Sequence, residues 1–383
     1  SVKVQNNIIG SGTTAEKPFL GIYFSNINTY EVSGNTINGI DKRTTAYNPV
    51  HSGIIVLGNS NGKIFNNTIA KVTNTEANGY CAGIYIDSGN NIIYNNIISG
   101  VSSANASYPG QGIYLNSGSG NKIYYNTIVM NDEINVSGSS CLYIANGVSN
   151  LGIKNNIFNS TQSNGNQYLI NSDAAESSIT EFDYNNYYLS TLASKLRNKL
   201  ASGPFVDLAG WKGFNSQKEQ HSITVEPKYI STTDFHLAQN TTNSLIHAKG
   251  TSIITFTTDI DNETRSSSTP DMGADEIIIC EQGDQQAFGV NSWIGYVYKW
   301  SGNTAPNPTL ASAPATATNV FIGNVTEQAT FDRNVGSGQV AGSTTNICGT
   351  PPSDKFFVRY TMRSTATERV QYNLTLAGVD GIR

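Results

Sequence analysis

Charge is scarce in this chain: Asp, Glu, Lys and Arg make up 13% of its 383 residues, about half the share of an ordinary soluble protein. Neutral polar groups must therefore carry the solvation, and Asn, Ser, Thr and Gly supply them. A formal net charge of −5 provides no basic footprint, so nucleic acid is not an expected partner. No apolar run approaches membrane-spanning length, and no spanning segment is expected. Helical apolar periodicity is missing before about residue 190, and the leucines that a leucine-rich repeat requires are absent.

What the chain does have is asparagine at a nearly fixed stride. Asn7, Asn35, Asn67, Asn96, Asn126, Asn156 and Asn186 are separated by 28, 32, 29, 30, 30 and 30 residues. Three residues before the first six lies Val4, Val32, Ile64, Ile93, Ile123 or Ile153, and two residues after lies Ile9, Ile37, Ile69, Ile98, Ile128 or Phe158. The seventh copy departs, with Asp183 and Tyr188. A second phrase keeps step with the first: Gly21 to Phe24, Gly53 to Val56, Gly83 to Ile86, Gly112 to Leu115 and Cys141 to Ile144.

Each period holds short β-branched and aromatic runs broken by Gly, Asn and Ser, which reads as strands and corners. Propeller blades need about 40 residues per repeat, so the expected fold is all-β, a parallel β-helix of about 30 residues per coil. Equivalent residues then stack at the interstrand distance of ~4.8 Å. Period-two alternation sends Ile22, Phe24, Ile54, Val56, Ile84, Ile86, Ile113, Leu115, Leu142 and Ile144 into the lumen. Tyr23, Ile55, Tyr85, Tyr114 and Tyr143 point outward, as do Phe65, Tyr94 and Tyr124 on the neighbouring face. The seven asparagines fall at corners, where each amide is expected to bond its copies above and below in a structural ladder.

Cys81 and Cys141 lie two coils apart, ~9.6 Å along the stack, beyond disulfide reach, and are expected to be free. Cys280 and Cys348 both lie in the C-terminal region and form the disulfide candidate, which suits an oxidising extracellular setting. The first residues already read as a strand within a coil and the last run is strand-like, so the chain is expected to be a piece of something larger. After Asn186 the rhythm loosens, and Ser190 to Leu200, apolar at 192, 196 and 200, predicts a short amphipathic helix.

An ordered series follows: Leu208 to Trp211, Gln220 to Ser222, Val225 to Tyr229, Asp234 to Leu237, Ser244 to His247, Asp259 to Arg265 and Pro270 to Glu276. The series resembles the closing segment of secreted right-handed parallel β-helix proteins with surface-sorting anchors, common in Bacteroidetes. Glu226 stands where that family usually has Asp before proline, and His247 where Asp is usual. The resemblance covers about residues 1–276, the closing part being irregular from about 187. It implies a right-handed helix, attachment at the cell surface, and the outer-membrane secretion or anchoring machinery as a partner, in the setting of type IX secretion and gliding motility. Residues 277–383 are similar to the opening of PA14-like β-sandwich modules, in the phrase from Gly283 to Tyr298 and in Tyr372 to Asp380, and read as a partial module. Such modules often bind glycans, some through calcium held by adjacent aspartates; here that pair reads Val379-Asp380.

Asp259, Asp261, Asp271, Asp275 and Glu276 form an acidic cluster that admits two readings. Hard oxygen ligands suit calcium, and Arg265 together with backbone N–H groups suits structural pairing. For function, an enzyme of the β-helix type, a lyase or glycoside hydrolase, needs paired carboxyls or a base with charge neutralisation. The coil acids Asp41, Glu76, Asp87, Asp132, Glu133, Asp173 and Glu176 form no column, and Lys63 and Lys122 sit two coils apart with Asn91 between them. Aromatic faces at regular spacing suit stacking on sugar rings, which makes Tyr23, Tyr85, Tyr114 and Tyr143 the glycan-binding candidates. The reading adopted is a segment of a large secreted adhesin: a rigid scaffold presenting a glycan-binding face, with surface polysaccharide and other modules of the same chain as partners and a polysaccharide-degrading enzyme as the alternative.

Overall fold

The structure is a computed structural model that describes residues 1–10, 18–42, 50–75, 79–132, 137–163, 166–190, 195–199, 205–238, 243–277, 289–300, 319–327, 356–363 and 365–366. The chain divides into two units, Ser1–Ala238 with Thr242–Ile277, and Gln239–Thr241 with Ile278–Arg383. The first unit is a parallel β-helix of three seven-stranded sheets. The first sheet stacks Val2–Gln5, Tyr30–Ser33, Gly62–Phe65, Asn91–Tyr94, Lys122–Tyr124, Leu151–Lys154 and Ile179–Asp183. The second stacks Ile8–Ile9, Thr36–Lys42, Thr68–Asn74, Ile97–Ser103, Thr127–Met130, Ile157–Ser160 and Asn186–Leu189. The third stacks Ile22–Ser25, Val50–Leu57, Tyr80–Ile86, Gly110–Ser119, Ser140–Ser149, Tyr168–Ser172 and Lys195–Lys199. Every neighbouring pair in these sheets is parallel, because each coil returns in the direction of the one before.

Alternation sorts the side chains as the sequence pattern requires. Val32, Ile64, Ile93, Ile123 and Ile153 meet Ile37, Ile69, Ile98, Ile128 and Phe158 inside the coils, with Ile54, Ile84, Ile113 and Leu142 closing the third side. The glycine that opens the third-sheet phrase is dictated by this crowding. A Cβ at Gly83 would lie 2.5 Å from Cγ2 of Ile98, and one at Gly112 2.4 Å from Cγ2 of Ile128.

The corner between the first and second sheets is built from two adjacent columns. The leading residue turns the chain in the left-handed region: Asn6, Gly34, Asn66, Asn95, Tyr125, Asn155 and Tyr184 all have φ between 52° and 65°. The trailing residue is the ladder asparagine. Nδ2 of Asn35 donates to Oδ1 of Asn67 (3.0 Å), Asn67 to Asn96 (2.9 Å), Asn96 to Asn126 (3.0 Å) and Asn126 to Asn156 (3.1 Å). The backbone N–H of each rung bonds the same oxygen, and each amide also bonds a carbonyl of the preceding coil, as Asn67 bonds Val32 (3.0 Å). The seventh rung is Asn185, whose Oδ1 accepts from Asn156 (3.0 Å); Asn186 instead pairs with Ile157 and bonds Val225. Moving the register by one residue also removes the anomaly at the seventh copy. Phe182 and Tyr187 then take the apolar positions, and both are buried.

Two features close this unit. Within the span 190–200 expected as a helix, the described residues Lys195–Lys199 form a strand pairing with Tyr168–Ser172, because an open sheet edge outweighs weak local helical preference. The helix comes later, as α1 (Leu208–Phe214), capped by the Asp207 carboxylate accepting from Gly210 N–H. Leu208 and Trp211 join the lumen cluster, with the indole edge-on to Phe182 at 4.6 Å, so α1 closes the last coil. Residues 225–238 and 243–277 then run back along the ladder corner as a strap. Asn155 and Tyr125 donate to Thr251 O, Asn95 to Thr258 O and Asn66 to Asp259 O, so the strap is held by the side chains of the left-handed column. The second unit contains a four-stranded sheet in the order Gly289–Val290, Phe356–Arg363, Trp293–Trp300, Asn319–Glu327.

Candidate functional site

The third sheet places Tyr23, Ile55, Tyr85, Tyr114 and Tyr143 in one outward column. They turn away from the lumen, but they do not form a row of open rings. Tyr85 and Tyr114 are each 6% exposed, while Tyr23 is 50% exposed. Tyr80, packed edge-on by Tyr108 at 4.8 Å, lies 5.0 Å from Tyr114 and 6.2 Å from Tyr85, and the rings of Tyr85, Tyr114 and Tyr143 stack on one another at 5.0 and 4.6 Å. Ring faces needed for sugar stacking are thus used within the protein at Tyr85 and Tyr114. Tyr143 is partly exposed and donates its hydroxyl to Asp173 (2.5 Å). Burial first, then the neighbouring Asp173, pushes its phenol up, so it stays a neutral donor.

The outer face of the first sheet carries chemistry that the sequence reading did not assemble. One column runs Lys3, Glu31, Lys63, Ile92, Lys122, Gly152, Glu181, so Ile92 and not Asn91 separates the two central lysines. The other runs Gln5, Ser33, Phe65, Tyr94, Tyr124, Lys154, Asp183. Phe65 and Tyr94 stack at 4.7 Å, and Phe256 of the strap packs 4.5 Å from Tyr94. Farther along, Glu181 reaches back over Gly152. Its carboxylate accepts from the Tyr124 hydroxyl (2.6 Å) and pairs with Lys122 and Lys154 (both 3.4 Å). Partial burial works to raise the Glu181 carboxyl, but the Tyr124 hydroxyl and the two ammonium groups outweigh it and hold it below its ordinary range. The one-residue slip at Asn185 and Asn186 concealed this group, since the wrong register takes Glu181 out of the lysine column. A bulge at Thr180 also shifts the pairing there.

The acidic cluster of the strap is a set of backbone knots. Asp259 accepts from the N–H groups of Asp261 (3.0 Å), Glu263 (2.8 Å) and Glu276 (3.0 Å). Asp271 accepts from Ala248 (2.5 Å) and Ile277 (2.7 Å), Asp275 from Leu237 (2.7 Å), and Glu276 from Ser266 (2.9 Å) and Asp271 (2.8 Å). Arg265 pairs with Glu276 (3.1 Å), donates to Asn95 Oδ1 and the carbonyls of Gly273 and Ala274, and lies 4.2 Å from the Tyr125 ring centroid. Carboxylate oxygens that face N–H donors are not offered to a hard cation. Asp261 alone of the group is exposed, with its carboxylate 3.5 Å from His236. Burial, above all, raises the Asp275 carboxyl to about 7 against the opposing pull of His236. Among the described residues no three His, Cys, Asp or Glu side chains are grouped to hold a metal ion.

Three of the coil acids, Asp87, Asp173 and Glu176, are each engaged by local donors. Asp87 accepts from Asn116 Nδ2 (2.9 Å) and Gly58 N–H (3.1 Å), Asp173 from Tyr143, and Glu176 from Asn215 (3.2 Å) with Lys218 at 3.7 Å. Glu76 and Glu133 lie outside the described residues, as do Cys280 and Cys348. Cys81 and Cys141 are free and buried, their thiols directed at the carbonyls of Ser102 (3.2 Å) and Asn159 (3.4 Å). No helix among the described residues is long and apolar enough to cross a membrane. Comparison of the chain with protein-family models, with curated proteins and with solved structures returned no match.

Proposed function

We propose that this chain is a segment of a secreted bacterial cell-surface adhesin in which the β-helix is a rigid scaffold that holds glycan-binding surface. The observation that carries the reading is the closed hydrogen-bond system of the corner. Buried amides run unbroken from Asn35 to Asn185, and a helix covers the final coil, so the coils are braced along their whole described length. Such neighbour-to-neighbour construction suits a spacer. In line with this reading, Asp87, Asp173 and Glu176 are each tied to local donors; a polysaccharide-degrading enzyme would need a pair of carboxyls facing each other across a cleft. The surface partners are a polysaccharide, neighbouring modules of the same chain and the outer-membrane export machinery. On the third sheet the glycan contacts fall to Tyr23 and the exposed edge of Tyr143.

The test is retention of a polysaccharide panel on the immobilised chain, with product analysis on the same samples. Retention without new chain ends, reduced by Tyr23→Ser with Tyr143→Ser, is expected. Steady release of shortened chains would replace the scaffold reading with the enzymatic one.

A further inference from the structure

On the first sheet, well away from the tyrosine column, three donors from two adjacent rungs converge on one side-chain carboxylate. Lys122 lies 3.4 Å from Glu181 Oε1 and Lys154 3.4 Å from Oε2, and the Tyr124 hydroxyl donates to Oε2 (2.6 Å). The space exists because position 152 has no side chain. A Cβ there would lie 2.6 Å from Tyr124 Oη and 2.8 Å from Cδ of Lys122. The Glu181 side chain is 38% exposed, so it is within reach of solvent. Lys122 and Lys154 are 25% and 28% exposed, so moving Glu181 aside leaves two partly buried ammonium groups that an incoming carboxylate would satisfy in its place. What remains is a pair of ammonium groups and a hydroxyl donor around a gap, with Lys63 two rungs away in the same column, ~9.6 Å along the stack.

We propose that this place on the first sheet is a binding site for an acidic polysaccharide, in which a uronate carboxylate replaces that of Glu181 and the chain runs along the stack toward Lys63. Lysines are point-like cations that suit single carboxylate oxygens, whereas bidentate phosphate recognition favours arginine. Repetition of cations at multiples of the rung spacing selects a stiff polymer whose charges also repeat. The site lies on a different sheet from Tyr23 and Tyr143 and is independent of them.

The experiment is calorimetric titration of the full chain with oligogalacturonate at low salt, with neutral dextran and polyglutamate as comparison ligands. Lys122→Ala with Lys154→Ala is expected to weaken oligogalacturonate binding at least about tenfold, the equivalent of one charge-assisted hydrogen bond. Glu181→Gln, which removes the resident competitor and keeps the side chain's shape, is expected to tighten it severalfold. Lys71→Ala, an exposed lysine of the second sheet, and the double tyrosine variant are expected to leave it unchanged. Weakening or no change with Glu181→Gln, an equal loss with Lys71→Ala, binding of polyglutamate as tight as that of the uronate, or no binding at all would each overturn the proposal. Unchanged thermal melting of the lysine variants separates lost binding from lost structure.

Discussion

Removing one amide from the middle of the corner ladder tests how the coils are held together. Asn126 is fully buried; its Oδ1 accepts from Asn96 N–H (3.2 Å) and Asn96 Nδ2 (3.0 Å), and its Nδ2 donates to Ile93 O (2.9 Å), Tyr124 O (3.0 Å) and Asn156 Oδ1 (3.1 Å). In Asn126→Ala the Asn96 N–H and the Ile93 carbonyl lose this partner where water does not reach, while Asn96 Nδ2 keeps the carbonyls of Ile64 and Tyr94. Buried polar groups left unpaired cost about 1–3 kcal/mol each, so two such groups and a small void put the loss at about 3–5 kcal/mol. Asn7, at the exposed first rung, makes the same bond to Asn35 (2.9 Å), but water can satisfy the groups it leaves. Asn7→Ala is expected to cost about 1 kcal/mol or less. Urea unfolding followed by circular dichroism, with the slope checked for constancy, measures both. Equal losses at the two positions, or a loss under about 1 kcal/mol at Asn126, would refute the reasoning that burial gives the ladder its strength.

Glu219 supplies a pH prediction. Burial dominates and raises its carboxyl from 4.5 to about 8, although Ser222, Tyr187 and Asn185 all bond it. Between those values the folded chain holds a proton that the unfolded chain has released, so this group's contribution to stability falls as pH rises from about 5 to 8. Glu219→Gln should flatten that slope in melting curves; an unchanged slope would place the titration elsewhere. Arg265→Ala strands Glu276 and two carbonyls, and is expected to make the strap sensitive to limited proteolysis while the coils resist; cleavage within the coils first would contradict it. Because the strap carboxylates are filled by N–H donors, excess EDTA should leave the melting temperature unchanged, and a rise on adding calcium would count against the knot reading.

The coil architecture was legible because a solenoid writes its geometry as period: one apolar residue before and one after each asparagine mark two walls of the lumen. The seventh rung was misplaced because Asn185 and Asn186 are adjacent, so composition alone does not choose between them; the neighbouring apolar positions, Phe182 and Tyr187, do. Local pattern likewise favoured a helix at 190–200, where pairing with Tyr168–Ser172 makes a strand. It gave no sign of α1, whose Gly210 and Gly213 depress helix propensity and whose stability comes from Trp211 in the lumen. The burial of Tyr85 and Tyr114 depends on Tyr80 and Tyr108, which no period relates to them. Contacts such as Asn66 with Asp259, 193 residues apart, lie wholly outside what periodicity encodes.

The central claim is that successive coils lay equivalent residues directly over one another, and cysteine cross-linking measures this most directly. Glu31 and Lys63 are register partners on adjacent rungs, while Glu31 and Ile92 are two rungs apart, ~9.6 Å, beyond disulfide reach. In a background carrying Cys280→Ser and Cys348→Ser, the pair Glu31→Cys with Lys63→Cys is expected to close on mild oxidation, and Glu31→Cys with Ile92→Cys is expected to stay open. Equal or faster closure of the second pair would contradict the stacking and the scaffold built on it.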